Sequence, residues 1–310
     1  MPESGLAALD DALRDTDLVE GIRVDYSVGG LTTYRVGGPA ARFVRPVDLV
    51  ELERVALAVA EATHSGGVVP VLVVGRGSNL LVADRGFGGL AIQLGTDFEE
   101  VAIDGDVVLA GGAASLPVVA RLTVAGELEG FEWAVGVPGS IGGAVRMNAG
   151  GHGSDMAAVL VSVTTVDLQT GVTATRGVED LALGYRTSAV TSTEVVVSAE
   201  LQLTAGERVR GEEKLAEVVR WRRANQPGGH NAGSVFANPP GDFAGRLVDT
   251  AGGRGMRIGS AEVSVRHANF IQVDEGGSAE DVVRLMAEVV RLVDEVHGVR
   301  LEPETVLVGF

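Results

Sequence analysis

Glycine occupies six positions between Gly130 and Gly150, and this run constrains the fold of the chain more than any other feature. Pro138 and Ser140 lie among these glycines, and apolar segments flank the run. Because glycine reaches positive φ angles and has no side chain to hold a ligand away from the peptide, such a run can lie directly against a large anionic cofactor. A set of tight turns would explain the glycines equally well. The run alone therefore leaves two interpretations open.

The composition predicts a globular protein of two domains. The chain has 310 residues, of which 45% are hydrophobic, and this length accommodates two domains of ordinary size. It has no cysteine, which excludes disulfides, thiolate nucleophiles and cysteine-ligated metals. The five histidines are scattered without metal-ligand spacing, so we predict no catalytic metal. Met1–Ser4 do not begin a signal peptide, and apolar runs such as Val68–Val74 are too short to span a bilayer. We expect a soluble, cytoplasmic protein.

The net charge of −17 at pH 7 restricts the ligands of the chain. An acidic surface repels phosphate backbones, so the charge disfavours a nucleic-acid partner. Any anionic ligand must be held by local arginines and backbone amides against this overall field. Lys214 is the only lysine, and arginine carries the remaining positive charge.

Local patterns predict an α+β unit with its core over residues 35–205. Asp48 and Glu51 form a capping-box pattern at the start of a helix, and the apolar run Val68–Val74 predicts a buried strand. The pattern lacks regular βαβ spacing and has no Gly-x-Gly-x-x-Gly after a first strand, which argues against a Rossmann fold. Further elements are predicted at Leu90–Gln93, Val107–Leu109, Leu116–Val124 (a helix), Val161–Val166 and Glu194–Leu203.

The predicted second unit follows a boundary at 208/209 and begins with a charged helix over Glu212–Gln226. Its clearest element is a helix that Ser278 caps and Gly298 ends, with apolar residues at helical spacing between them. Strands are predicted at Ala261–Val265, Phe270–Val273 and Val306–Val308.

Five short motifs carry the strongest indication of function. They are Gly-Ser-Asn-Leu-Leu at 77–81, Gly-x-Pro-Gly-Ser-x-Gly-Gly at 136–143, Tyr-Arg-x-Ser at 185–188, Ala-Gly-Ser-Val-Phe at 232–236 and His-Ala-Asn-Phe at 267–270. In this order and spacing, the chain resembles the bacterial UDP-N-acetylenolpyruvoylglucosamine reductases (UDP-N-acetylmuramate dehydrogenases), and its compactness after Arg186 resembles their shorter subtype. The resemblance runs from Thr32 to Glu304.

The resemblance implies an α+β fold with an FAD-binding domain of the vanillyl-alcohol-oxidase (PCMH) type over residues 1–208. A substrate-binding α+β domain over 209–310 would follow it. The implied activity is NADPH-dependent reduction of the enolpyruvyl ether of a UDP-sugar in peptidoglycan precursor synthesis. FAD would be bound without a covalent link, and neither nucleic acid nor membrane would be a partner.

The resemblance also implies roles for individual residues. Ser234 would donate the proton to the carbon next to the one that receives hydride, within hydrogen-bond reach. Arg186 would hold the substrate carboxylate, and Glu304 would assist as a protonated acid or hydrogen-bond relay, which requires burial to raise its pKa. The residues implied to bind FAD are Gly75, Arg76, Gly77, Ser78, Asn79, Leu80, Gly136, Val137, Pro138, Gly139, Ser140, Gly142 and Gly143. Those implied near the substrate or the flavin edge are Arg223, Gln226, Asn238 and His267.

The chain departs from the family pattern at Ala237, where a lysine is usual. Arg246 or Arg254 is a candidate to replace its charge. Two alternative functions remain open from the sequence. One is a flavin-dependent sugar or alcohol oxidase on the same fold. The chain has no cysteine, and Gly75–Asn79 contains no histidine, so covalent attachment of flavin to this loop is disfavoured. The other is a non-catalytic nucleotide-sugar binding protein.

Overall fold

A computed structural model describes residues 2–14, 16 and 18–310, so Met1, where the predicted first domain begins, lies outside the described residues. None of the helices in the described part has the length and apolarity that crossing a membrane requires. The helices are α1 (Pro2–Leu13), α2 (Leu49–Gly66), α3 (Leu116–Ala125), α4 (Ile141–Arg146), α5 (Arg208–Asn225), α6 (Ala244–Thr250) and α7 (Ala279–His297). Short 3₁₀ helices lie at Gly29–Leu31, Thr96–Glu99, Glu132–Gly136, Met156–Ala158 and Val178–Leu181.

Each strand predicted from Leu90 onward is present. The largest difference between a predicted and an observed first or last residue is at β5, which begins at Phe87 instead of Leu90. The strands are β1 (Arg23–Tyr26), β2 (Ala40–Val44), β3 (Val71–Val73), β4 (Leu80–Val82), β5 (Phe87–Ile92), β6 (Val101–Asp104), β7 (Val107–Gly111), β8 (Leu128–Glu129), β9 (Gly150–Gly151), β10 (Ser154–Asp155), β11 (Leu160–Asp167), β12 (Thr173–Gly177), β13 (Glu194–Gln202), β14 (Thr204–Ala205), β15 (Arg257–Ile258), β16 (Ala261–Val263), β17 (Ile271–Val273) and β18 (Val306–Val308).

The first compact unit consists of the described part of Met1–Val24 together with Ala41–Arg76 and Gly88–Trp221. Its main sheet is antiparallel with the order β12-β11-β13-β7-β6. Helix α4 packs on β13 and β7, and the apolar residues of this region form one buried cluster. The part of the glycine-rich segment that forms α4 is thus packed on this sheet.

The capping pattern at Asp48 is confirmed as the start of α2. The Asp48 carboxylate accepts a hydrogen bond from the Glu51 amide over 2.8 Å. The buried Glu51 side chain accepts from the amides of Val47 (2.9 Å) and Val19 (2.8 Å). Glu51 therefore satisfies backbone donors ahead of the helix and not the Asp48 amide that a complete capping box requires.

The prediction of a buried strand over Val68–Val74 is wrong in extent and burial. Strand β3 covers Val71–Val73 only, and all three residues are half-buried. The side chain of Val68 is 67% exposed. The reason is position in the sheet: β3 is at the edge of the order β1-β2-β5-β3 and pairs in parallel with β5 alone. A continuous apolar run indicates a buried strand in the centre of a sheet, and it predicts burial less reliably for a strand at the edge.

The second compact unit consists of Asp25–Ala40, Gly77–Phe87 and Arg222–Phe310. Its antiparallel sheet β15-β16-β17 packs against α7. The Ser278 hydroxyl accepts from the Asp281 amide, and Gly298 ends α7 with a φ of 65°, as the sequence predicts. Strand β4 lies parallel to β18, with Leu80 beside Val306.

The unit boundary differs from the sequence expectation in its details. The predicted boundary at 208/209 falls at the first residue of α5, whereas the compact units divide near the end of this helix, between Trp221 and Arg222. Two segments from the N-terminal part of the chain also belong to the second unit. Local patterns do not reveal these insertions because they depend on tertiary contacts.

Candidate active site

The turn Gly75–Leu80 connects β3 to β4 and depends on Gly77. Gly77 has a φ of +63°, and a Cβ atom there would overlap the carbonyl oxygen of Leu31 and the Cα of Thr32. A Cβ atom at Gly75 would lie 2.7 Å from the Ser140 hydroxyl. The backbone path of this turn therefore requires glycine at position 77, whereas a side chain at position 75 would have to displace the Ser140 hydroxyl.

The amides of this turn are available to a ligand. From Gly75 to Asn79, no backbone amide donates to an acceptor among the described residues. The carbonyls are used instead: Gly75 O accepts from Gln93 Nε2 (3.1 Å), and Gly77 O accepts from the Thr33 amide (3.1 Å). Consecutive amides whose hydrogens remain available can accommodate an anion such as a phosphate group. The predicted cofactor residues Arg76, Ser78 and Asn79 contribute their amides to this set.

The segment Gly136–Gly143 contributes differently from Gly75–Leu80. It leaves the 3₁₀ helix at Gly136 and enters α4 after Ser140, whose hydroxyl accepts from the Gly143 amide (3.3 Å). Pro138 has no amide hydrogen, and further amides donate to backbone carbonyls within the first unit; these are the amides of Val137, Gly139, Ile141 and Gly142. A Cβ atom at Gly142 would lie 3.1 Å from Gly112 O. These glycines permit close packing more than they offer donors.

Arg186 lies in the first unit on a tight turn with a φ of +57°. The Asn148 side chain, itself buried, donates to Gly184 O (3.0 Å) and accepts from the Ala157 amide (3.0 Å). This amide side chain therefore fixes the turn that carries Arg186. The Arg186 guanidinium carbon lies 5.3 Å from the centre of the Tyr185 ring, a cation–π distance.

The backbone segments that carry Ser234 and Glu304 pair with each other in the second unit. Phe236 and Pro303 form an antiparallel bridge, and the Glu304 amide donates to Val235 O over 2.7 Å. The Ser234 side chain is exposed, and its hydroxyl has no hydrogen-bond partner among the described residues, whereas Glu304 is half-buried. The Asn79 side-chain amide donates to Glu304 O (3.1 Å). The second unit thus joins Asn79, at the end of the amide-rich turn, to the backbone of Glu304.

Comparisons with known proteins identify the family. Residues 225–308 match the family model of the UDP-N-acetylenolpyruvoylglucosamine reductase C-terminal domain, and residues 39–176 match an FAD binding domain. The chain is 40% identical to the UDP-N-acetylenolpyruvoylglucosamine reductase of Rubrobacter xylanophilus, with 90% of this chain and 92% of that protein covered. It is 37% identical to the Streptococcus thermophilus reductase, with 98% of each covered. The chain belongs to the UDP-N-acetylenolpyruvoylglucosamine reductase family.

A solved reductase structure of this family, from Thermus caldophilus, has the same fold. It superimposes with a TM-score of 0.79 at 34% identity and covers 93% of this chain and 99% of that one. The predicted α+β fold with an FAD-binding domain is confirmed, and FAD is confirmed as the cofactor.

The reductase family resemblance placed four further residues near the substrate, and the structure gives two of them internal contacts. The Asn238 side chain accepts from the Ala244 amide (3.0 Å) at the start of α6. His267 is half-buried, and its Nδ1 accepts from the Asn269 amide (3.3 Å). Burial and the nearby Arg254 guanidinium lower the pKa of His267, so the neutral imidazole needed for this acceptor is favoured.

The other two residues, Arg223 and Gln226, lie at the C-terminal end of α5 and just after it. Their backbone carbonyls accept hydrogen bonds from the Arg266 guanidinium, over 3.1 and 3.3 Å. The Gln226 side-chain oxygen is buried without a hydrogen-bond partner among the described residues.

The two arginines considered as replacements for the lysine at Ala237 both have carboxylate partners in this reductase. Arg246 pairs with Asp242, and Arg254 contacts Asp249 over 2.6 Å. Both guanidinium groups are therefore already held by carboxylates of the second unit. Within the described part of the chain, no three His, Asp or Glu side chains lie together as a metal site.

Proposed function

We propose that this chain reduces the enolpyruvyl ether of UDP-N-acetylglucosamine-enolpyruvate to UDP-N-acetylmuramate, with NADPH as the reductant and FAD as the bound cofactor. The step belongs to peptidoglycan precursor synthesis, and we propose the cytoplasm as its location. The observation that carries the proposal is the backbone pairing of the segment that follows the exposed Ser234 with the segment of Glu304, whose carbonyl also accepts from the Asn79 side chain at the end of the amide-rich turn.

The residues of the amide-rich turn fit an FAD diphosphate. The amides of Gly75–Asn79 are available as donors. The hydroxyls of Thr33 and Thr305 are buried without hydrogen-bond partners among the described residues. Both adjoin the turn, because the Thr33 amide donates to Gly77 O and the residue after Thr305 donates to Asn79 O. Orphaned donors of this kind suit the oxygen atoms of a bound diphosphate.

We assign the contacts of FAD to the turn Gly75–Leu80 and to the segment Gly136–Gly143. When bound and reduced, the flavin supplies hydride to the β-carbon of the enolpyruvyl group. An acidic protein that binds the diphosphate through amides needs few cationic side chains, which agrees with the net charge of −17.

Ser234 is the proton donor in this proposal. The α-carbon of the enolpyruvyl group gains carbanion character and requires a donor that is neutral and protonated at pH 7. A serine hydroxyl meets this requirement because the developing carbanion is a much stronger base than a carboxylate. The exposed position of Ser234 lets its oxygen regain a proton from solvent after each turnover.

Arg186 and Glu304 are assigned electrostatic roles. The Arg186 guanidinium would hold the substrate carboxylate as charge builds on it, with two parallel N–H donors. Glu304 would act as a protonated acid or a hydrogen-bond relay beside Ser234. Arg223 and Gln226 are assigned to the UDP moiety, whereas Asn238 and His267 support this pocket through their backbone contacts.

Flavin spectroscopy tests the proposal. The purified protein should be yellow, anaerobic NADPH should bleach it, and the enolpyruvyl UDP-sugar should restore the colour. Ser234→Ala should bleach at the wild-type rate and regain colour roughly 100-fold more slowly or worse. Ser65→Ala is the control, because the exposed Ser65 hydroxyl bonds only the Glu61 carbonyl in α2.

Three results would contradict the proposal. A colourless protein that cannot be reconstituted with FAD would rule out the flavoenzyme. If an alcohol reduces the flavin, oxygen reoxidises it and the UDP-sugar does not, the oxidase alternative would be supported. Normal reoxidation by Ser234→Ala would remove the proton-donor role.

A further inference from the structure

The backbone that carries Ser234 is held along both of its edges within the second unit. On one edge, the Ala237 amide donates to Glu302 O (2.9 Å) and the Glu304 amide donates to Val235 O (2.7 Å). On the other edge, none of the strands in the described part of the chain pairs with it. Asn269 takes the place of a strand there, through its side chain and its backbone carbonyl.

Asn269 uses both ends of its side-chain amide on one residue. Its Oδ1 accepts from the Phe236 amide (2.9 Å), and its Nδ2 donates to Phe236 O (2.9 Å). The Asn269 backbone carbonyl accepts from the Val235 amide (2.9 Å). The residue is 4% exposed. The pattern of donors and acceptors fixes which end of the side-chain amide is the oxygen. In the flipped orientation, Nδ2 would face the donating Phe236 amide and Oδ1 would face the accepting Phe236 carbonyl.

The loop that carries Asn269 is itself fixed. The Asn269 amide donates to His267 Nδ1 (3.3 Å), and the Phe270 amide donates to His267 O (3.0 Å). Phe270 O accepts from the Ser264 amide (2.8 Å), and the rings of His267 and Phe270 are 4.7 Å apart. Asn269 is therefore a rigid support and not an adaptable polar side chain.

We propose that Asn269 is a positioning residue for catalysis, which sets the place of the Ser234 hydroxyl through Val235 and Phe236. This inference rests on the function proposed above, in which Ser234 donates the proton. Loss of the Asn269 side chain leaves the Phe236 amide and carbonyl buried without partners on that edge, and such groups drive the backbone toward other partners. A displacement of about 1 Å at the donor is enough to slow a reaction by roughly 100-fold.

A double-mutant cycle separates positioning from general structural support. We expect Asn269→Ala to slow the reoxidation of reduced enzyme by the enolpyruvyl UDP-sugar by roughly 10- to 100-fold, with little change in FAD content or in bleaching by NADPH. In the Ser234→Ala background, the same substitution should slow reoxidation by less than about twofold, since the donor that it positions is absent.

Two further variants complete the experiment. Gln272→Ala is the matched control, because Gln272 lies in β17, shortly after Asn269, and its Nε2 donates to Gly228 O (2.8 Å) and not to Val235 or Phe236; it should leave both half-reactions at the wild-type rate. Asn269→Asp keeps the acceptor for the Phe236 amide and the shape of the side chain, so it replaces Asn269→Ala if that variant does not fold. We expect it to slow reoxidation as well, because the donor to Phe236 O is lost.

The outcomes distinguish this inference from the proposed function. If Ser234→Ala slows reoxidation but the folded Asn269 variants remain within twofold of the wild type, the positioning role is wrong and the proton donor stands. Equal losses from Asn269→Ala in both backgrounds would also overturn the positioning role. If Ser234→Ala itself reoxidises normally, the proposed function fails at its own step.

Discussion

Gly77 has a positive φ and lies against the backbone of Leu31 and Thr32. Gly77 has no side chain, so it offers a ligand only its backbone amide. Its larger effect on the site is on the path of the backbone. It allows the chain to reverse so that carbonyls bond inward while the amides of Gly75–Asn79 remain available. At this scale, the chemistry of the turn follows from a missing side chain.

Gly77→Ala should weaken FAD binding at least about tenfold, since a left-handed alanine costs roughly 1–2 kcal/mol before the overlap with Leu31 is counted. Flavin fluorescence during titration of the apoprotein measures the dissociation constant. Gly88→Ala serves as the control, because a Cβ atom at Gly88 would have no neighbour within 4 Å. Similar dissociation constants for the two variants would contradict the role of Gly77.

Helix α5 is joined to the 3₁₀ helix Glu132–Gly136 by the only lysine of the chain. Lys214 Nζ lies 2.9 Å from the carboxylate of Glu132 and 3.4 Å from that of Glu129. Glu132 is buried and also accepts from the Gly130 amide (2.8 Å). Burial by itself would raise the pKa of Glu132, but the hydrogen bonds from Lys214 and the Gly130 amide outweigh it and lower that pKa below 4.5. The pair thus fixes the element that leads into Gly136–Gly143.

This pair predicts a defined pH dependence of stability. A carboxylate with a lowered pKa stabilises the folded state above about pH 4.5, and this contribution is lost as the pH falls through the folded-state pKa. Glu132→Gln should lower the free energy of unfolding at pH 7 by about 1–2 kcal/mol. It should also reduce the loss of stability on acidification below pH 4.5.

Urea denaturation at pH 7 and at lower pH values measures both effects. Glu129→Gln is the control, because Glu129 is more exposed and its contact with Lys214 is longer; its effect at pH 7 should stay below about 0.5 kcal/mol. An unchanged acid profile in Glu132→Gln would show that other carboxylates dominate.

Across the whole molecule, local signals predict elements better than they predict the site. Helix α7 could be predicted from Ser278 and Gly298 because caps act over a few residues. The contact of Glu304 with Val235 joins segments far apart in sequence, and only the family resemblance indicated it. Asn269 lies in the His-Ala-Asn-Phe motif at 267–270, but the motif does not reveal its role, because that role depends on which backbone the side chain faces after folding. The roles assigned to the site residues remain predictions.

The order of synthesis has a consequence for how the second unit is completed. Strand β4, at Leu80–Val82, has β18 at Val306–Val308 as its parallel partner. Asn79 is hydrogen-bonded to the residues before and after Thr305, which are Glu304 and Val306. A growing chain on the ribosome exposes β4 long before its partner exists. The main sheet of the first unit, by contrast, is complete once β13 has emerged. During translation, the turn that we assign to the FAD diphosphate therefore lacks its contacts with β18 until residues 306–308 have been synthesised. On a ribosome stalled before residue 306, we expect β4 to be exposed to chaperones without its partner strand.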